Sequence, residues 1–264
     1  MKLNKEQIDF LNDCTEGSWT LNKKTGLVDI DGNFNCSSKK LKDLKGVRFG
    51  VVEGYFFCYK NSLTSLEGAP QVVKGYFCCS CNKLTSLEGA PQVVKGYFNC
   101  SHNSLTSLVG APQVVECDFF CSNNSLTSLE GAPQVVKGNF NCSRNKLTSL
   151  EGAPQEVTGY FDCSGNKLTS LEGAPQEVKG DFDCSYNKLP IPKSISDLIL
   201  KTMKDKGVNY QIALLLNKES IKEKINKHRE QIEKLESAFT ELDKHLSKDA
   251  QKGVSMLNRF KAFE

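Results

Sequence analysis

No apolar run in this sequence approaches the roughly 18 residues that a membrane-spanning helix needs, and the opening Met-Lys-Leu-Asn-Lys-Glu lacks the apolar centre of a secretion signal. A membrane role is therefore not expected, and the cytoplasm is the expected compartment. Histidine is scarce, three residues in 264, and scattered. No Ser/His/Asp order, Walker loop or H-E-x-x-H occurs, which removes the common hydrolase, nucleotide-triphosphatase and zinc-protease signatures. No enzyme activity and no cofactor are expected. Charge is nearly balanced at +3, so no global field demands a nucleic acid or an acidic surface as partner.

Cysteine is abundant, at twelve residues, and its placement shows what the chain is built from. Cys36, Cys58, Cys79, Cys100, Cys121, Cys142, Cys163 and Cys184 each follow a phenylalanine by two residues, at Phe34, Phe56, Phe77, Phe98, Phe119, Phe140, Phe161 and Phe182. After a first step of 22 the register advances by 21 every time. A fixed period of this length signals a solenoid, whose units are too small to bury an apolar face alone and stack to do so. Residues i and i+2 of a strand share a face, so Phe and Cys point inward, and the thiols act as small apolar groups. They are expected to be reduced.

The rest of the unit follows the same logic. Leu105 and Leu108 continue the inner wall, and Gly110-Ala111-Pro112 forces an extended return. Of two successive valines the second never varies (Val52 through Val178), while the first becomes Glu156 and Glu177; only the second can be fully buried. Asparagine recurs at Asn61, Asn82, Asn103, Asn124, Asn145, Asn166 and Asn187. There an inward amide can satisfy backbone groups left unpaired by the bend and bridge to the next coil.

The neighbours of Phe and Cys face outward. They include Tyr55, Phe57, Tyr59, Tyr76, Tyr97 and Phe120 toward the N-terminal end and Asp162, Asp181 and Asp183 toward the C-terminal end. Grouped exposed aromatics suit a protein contact, and nearby acids can steer a basic partner. Mutual support of strand aromatics is the plainer alternative. Cys78, Cys81 and His102 are zinc-ligand types, but parallel projection from a strand suits a tetrahedral site poorly, so no metal is expected. Lys74, Lys95, Lys137 and Lys179 form a column that Glu53 and Glu116 interrupt, beside an acidic column at Glu67, Glu88, Glu130, Glu151 and Glu172. That pattern disfavours a phosphate-tracking groove.

Residues 1–30 read as an N-terminal cap: a short helix begun by Asn4 and Gln7 with Ile8, Leu11 and Phe10 on one side, then a hairpin in which Trp19 covers the first core layer. Residues 31–192 are the solenoid. Residues 193–264 read as helical, with 15 Lys/Arg against 11 Asp/Glu and no cysteine. Within them Ile221, Ile225, His228, Ile232, Leu235, Phe239, Leu242 and Leu246 are spaced alternately by four and three, a heptad seam on a helix over about 219–247. Such a seam packs either against a copy of itself, giving a homo-oligomer, or against the other C-terminal helices, and self-association is the slightly favoured expectation.

The pattern F-x-C-S-x-N-x-L-T-S-L resembles the leucine-rich repeat signature L-x-x-L-x-L-x-x-N-x-L. Phe stands at the second leucine, Cys at the third, and Leu105 after Asn103. The leading leucine is missing from its place, and the proline-bearing return is too short for an α-helix. The units look most like short bacterial repeats and the leucine-rich repeat proteins of bacteriophages. That resemblance implies an α+β solenoid: a right-handed superhelix with one parallel sheet of about eight strands, followed by the helical C-terminal region. It also implies binding of a protein on the concave face, as an inhibitor or adaptor. For a phage protein working in host cytoplasm, the target would be a host defence or regulatory factor. The alternative is a sponge that sequesters nucleotides or other small molecules with the tyrosine cluster.

Overall fold

The computed structural model describes residues 2–189 and Lys234. The expected helices of 193–264, including the seam from Ile221 to Leu246, lie outside the described residues. Residues 2–189 fall within the first of two compact units, residues 1–216.

Helix α1 spans Lys5–Cys14 and begins on the expected reciprocal cap: Gln7 N–H donates to Asn4 Oδ1 at 2.9 Å, and Asn4 N–H donates to Gln7 Oε1 at 3.0 Å. It buries Phe10, Leu11 and Cys14. Ile8, expected on the same side, is exposed, since it falls about a third of a turn from that stripe. Strand β1 (Thr15–Leu21) then pairs antiparallel with β2 (Val28–Asn35). Trp19 lies half-buried against the core and donates from Nε1 to Asn12 Oδ1 at 2.9 Å.

β2 is the template for everything that follows. Its first half pairs in parallel with β3 (Phe49–Val52) and its second half with β4 (Phe56–Phe57). From there two ladders of short parallel strands grow side by side, one through the valines and one through the phenylalanines, to Glu177–Val178 and Phe182–Asp183. The result is a parallel β-solenoid of about seven turns, in one sheet of sixteen strands. The expected phenylalanine ladder is present, with eight strands when β2 is counted, but the expected total of about eight strands was too low. The two valines also alternate out and in, and they make a second ladder of seven strands. A strand of two residues is too short to show a period of two in the sequence.

The inward faces are as the pattern requires. All eight phenylalanines of the column are buried, with neighbouring rings stacked at centroid separations of 5.1–5.6 Å. The invariant second valine is buried in every turn, as are the two leucines from Leu63 to Leu171. Each stacked pair adds about 0.5–1.5 kcal/mol to the area its rings bury.

The asparagine column binds turn to turn. Asn145 Nδ2 donates to the carbonyl of Cys142 in its own turn at 3.0 Å and to that of Cys121 in the preceding turn at 3.1 Å. Its Oδ1 accepts from Leu126 N–H of the preceding turn at 3.0 Å. The same set recurs at Asn82, Asn103, Asn124, Asn166 and Asn187. In the first turn, where Lys39 stands at this position, Asn61 Oδ1 takes up the Lys39 and Leu41 N–H groups, both at 3.0 Å.

Just before each asparagine, and before Lys39 in the first turn, the chain enters the left-handed region, at Ser38, Lys60, Cys81, His102, Asn123, Arg144, Gly165 and Tyr186, with φ between 52° and 65°. Only one of these eight is glycine, so the tight bend is held against local preference by the amide bridges. In the return, Gly68 has φ +84°, and a Cβ there would run into the Val47 carbonyl of the preceding turn; the Leu66–Ala69 turn closes with a 2.9 Å bond.

Asn145→Ala is expected to lower unfolding free energy by ~3 kcal/mol, because several buried backbone groups lose their partner at ~1–3 kcal/mol each. Gly165→Ala should cost ~1 kcal/mol by forcing a side chain into the left-handed bend. Urea midpoints by circular dichroism would check both.

Candidate binding face

The outward positions around the phenylalanine ladder form a surface with one side chain per turn in each column. In the column between Phe and Cys the register runs Asn35, Phe57, Cys78, Asn99, Phe120, Asn141, Asp162, Asp183. Five of these eight residues do the same job. Asn35, Asn99, Asn141, Asp162 and Asp183 each accept a hydrogen bond through Oδ1 from the backbone N–H of the serine two residues on, at 2.8–3.1 Å. This is a local turn cap. Phe57, Cys78 and Phe120 cannot make it with a carboxylate or amide oxygen. In the turn of Phe57 the serine is also gone, replaced by Tyr59.

The column before Phe shows the same exchange. Asn33, Asp118 and Asn139 accept from the N–H of the residue stacked on them in the next turn, at 3.0, 2.7 and 2.9 Å. Tyrosine at 55, 76 and 97 gives up that bond, as does the half-buried Tyr160 nearer the C-terminal end. The aromatic residues thus stand where polar ones stabilise the backbone in other turns.

These six aromatics form two groups. Tyr55, Phe57 and Tyr59 lie along one turn, with centroids at 4.2 and 5.8 Å, and Tyr76, Tyr97 and Phe120 lie across three turns, at 4.6 and 6.3 Å. Cys78 is buried among them and sits 3.2 Å from Ser80 Oγ. Burial, followed by the neighbouring Cys78, Tyr76 and Tyr59, raises the Tyr97 phenol above its ordinary value. Tyr55 is the most constrained. Its hydroxyl donates to Glu16 Oε2 of β1 at 2.6 Å, which pushes its pKa up to about 12. Mutual stacking therefore half-buries Tyr55, Phe57, Tyr59, Tyr97 and Phe120, which were expected to be exposed, and leaves only Tyr76 of the six exposed, at 46%.

Asp181 and Asp183 are exposed and Asp162 is half-buried, in adjacent turns of the same face. A further apolar feature escaped the sequence reading. The first valine of each pair faces outward on the other ladder, half-buried at Val51, Val72 and Val93 and exposed at Val114 and Val135. Its tolerance of glutamate at 156 and 177 was the available signal. Of the lysine column, Lys74 pairs with Glu53 at 2.7 Å, and Lys179 lies 3.4 Å from Glu156 and 3.8 Å from Glu177.

Comparison with protein-family models, curated proteins and solved structures finds no match.

Among the described residues no three His, Cys, Asp or Glu side chains come together to hold a metal. Cys78 is buried, Cys81 occupies the left-handed bend and His102 is exposed. No helix of the described residues is long and apolar enough to cross a membrane. All twelve cysteines are free thiols. Burial raises the ladder thiols well above their ordinary value of 9.0, as at Cys58, Cys79, Cys121, Cys142 and Cys163. A neutral, enclosed thiol is a poor nucleophile.

The unfolded chain loses its thiol protons first as pH rises through about 9, so it binds fewer protons than the fold, and stability falls with pH from there. Each ladder thiol contributes ~1.4 kcal/mol per pH unit above that point. Unfolding free energy is expected to be nearly flat from pH 7 to about 8 and to fall steeply above 9, by on the order of 10 kcal/mol for the eight ladder thiols together by pH 10, as urea titrations at stepped pH would show. In the native state at pH 8, a thiol reagent should modify the exposed Cys117 first and leave the ladder untouched.

Proposed function

We propose that this protein is a non-enzymatic scaffold that binds another protein through the outward face of its phenylalanine ladder, as an inhibitor or adaptor. The observation that carries this reading is the substitution of aromatic residues for backbone-bonding ones at Phe57, Tyr76, Tyr97 and Phe120. Each gives up a hydrogen bond worth about 1 kcal/mol, and together they gather ring surface, exposed at Tyr76 and half-buried at Phe57, Tyr97 and Phe120, of the kind that anchors interfaces. The rings of Tyr76 and Tyr97 already face each other at 4.6 Å. No slot remains between them for a base, which favours a protein surface over a sequestered nucleotide.

The leucine-rich repeat relationship belongs to the same proposal. An inward asparagine after the strand and leucines along the inner wall support it, while the valine ladder sets these turns apart. A phage origin and a host defence target remain implications of that resemblance, as does self-association through the C-terminal helices.

Affinity capture from the native host with the intact chain, and with Tyr76→Ala/Tyr97→Ala, tests the reading. Both side chains face outward, so folding should persist by circular dichroism while a captured partner is lost, with affinity reduced at least about tenfold. A partner retained by the double variant would remove this face from consideration. Calorimetric titration of nucleotides into the pure protein should give no heat of binding.

A further inference from the structure

We infer that the face receives a polypeptide segment laid along the solenoid axis, with bulky apolar side chains over Phe57, Tyr76, Tyr97 and Phe120 and lysine or arginine over Asp162, Asp181 and Asp183. This rests on the protein-binding reading and adds the partner's chemistry and direction. At the basic end the fold uses side-chain oxygens of Asp162 and Asp183 but not their charge, and Asp181 stands exposed beside them. Asp162 accepts from Ser164 N–H at 2.9 Å and from Ser164 Oγ at 2.6 Å; Asn141 makes the same bonds to Ser143 at 3.0 and 2.7 Å. Asp183 caps Ser185 N–H as Asn99 caps Ser101 N–H. A neutral amide therefore serves the turn as well.

The charge itself works against the stack. Asp162 and Asp183 are direct neighbours across parallel strands, where like charges repel. Asn141 Nδ2 relieves Asp162 Oδ2 at 3.1 Å. Lys179 is held by Glu156 and Glu177 instead. A basic group from outside would relieve this repulsion, and it would do so beside the apolar surface that anchors the same segment.

The dimensions are consistent. With about 4.8 Å between strands, Phe57 and Phe120 are three turns or ~14 Å apart, and Phe57 and Asp183 six turns or ~29 Å. Some nine extended residues, or about 20 helical ones, span that length.

The test uses three fluorescent synthetic 20-residue peptides with leucine and phenylalanine in one half and arginine, glutamine or glutamate in the other. They are titrated into the full chain, into Asp162→Asn/Asp181→Asn/Asp183→Asn, and into Tyr76→Ala/Tyr97→Ala. The arginine peptide is expected to bind about five- to tenfold more tightly than the glutamine one, with glutamate weakest. That advantage should vanish in the triple asparagine variant, whose melting temperature stays equal or rises, and should fade as salt screens it. If arginine and glutamine peptides bind equally, and both are lost in the tyrosine variant, the basic partner is ruled out while the protein-binding reading stands. If the triple variant keeps the arginine preference, the aspartates are not its source and the inference fails. If no peptide of the series binds, the polypeptide segment is overturned as occupant.

Discussion

A single side-chain amide per turn holds this molecule in register. Each asparagine from Asn61 to Asn187 donates to two cysteine carbonyls, one in its own turn and one in the turn before, and accepts from a backbone N–H of that preceding turn. The bend off the strand would otherwise leave those groups unpaired inside the stack, where each costs about 1–3 kcal/mol. The same bridges hold seven non-glycine residues in left-handed conformations. Stability is thus local and sequential: a turn is secured by its neighbours, and the long hairpin strand β2 supplies the first edge.

Because the inward columns carry the fold almost alone, the outward columns can vary. Their default is polar: asparagine, aspartate and serine that cap the backbone of their own or the next turn. Departures from that default are then informative. Aromatics gather on turns near the N-terminal end, and charge without structural need gathers at the other. The face is accordingly polar in the directional sense, with two chemistries arranged along one axis. The thiol ladder, by contrast, is chemically quiet, since burial keeps its protons on.

Much of this was legible in the chain. The 21-residue period placed phenylalanine, cysteine, leucine, the second valine and asparagine on the inside, and the outward aromatics followed from alternation within the strand. Other features were not. The valine ladder was hidden because two residues cannot display a strand's period. Ile8 was placed on the wrong side of α1, since a ten-residue helix offers too few apolar positions to fix its buried stripe. Six of the eight left-handed bends carry serine, lysine, cysteine, histidine, arginine or tyrosine, and only Asn123 and Gly165 are residues that favour that region, so local composition did not announce the bend.

The sequence alone determined that there is a stack, what fills it and which residues face out, because these depend on repetition and on alternation, both of which are written in residue order. Only the tertiary structure decided that Asp162 and Asp183 cap serines, that Tyr55 is tied to Glu16, that Cys78 is buried on an outward face and that two ladders grow from one strand. Those facts depend on which atoms of successive turns come within hydrogen-bonding or van der Waals reach. That proximity is set by the packing of whole coils, not by the identity of any one residue.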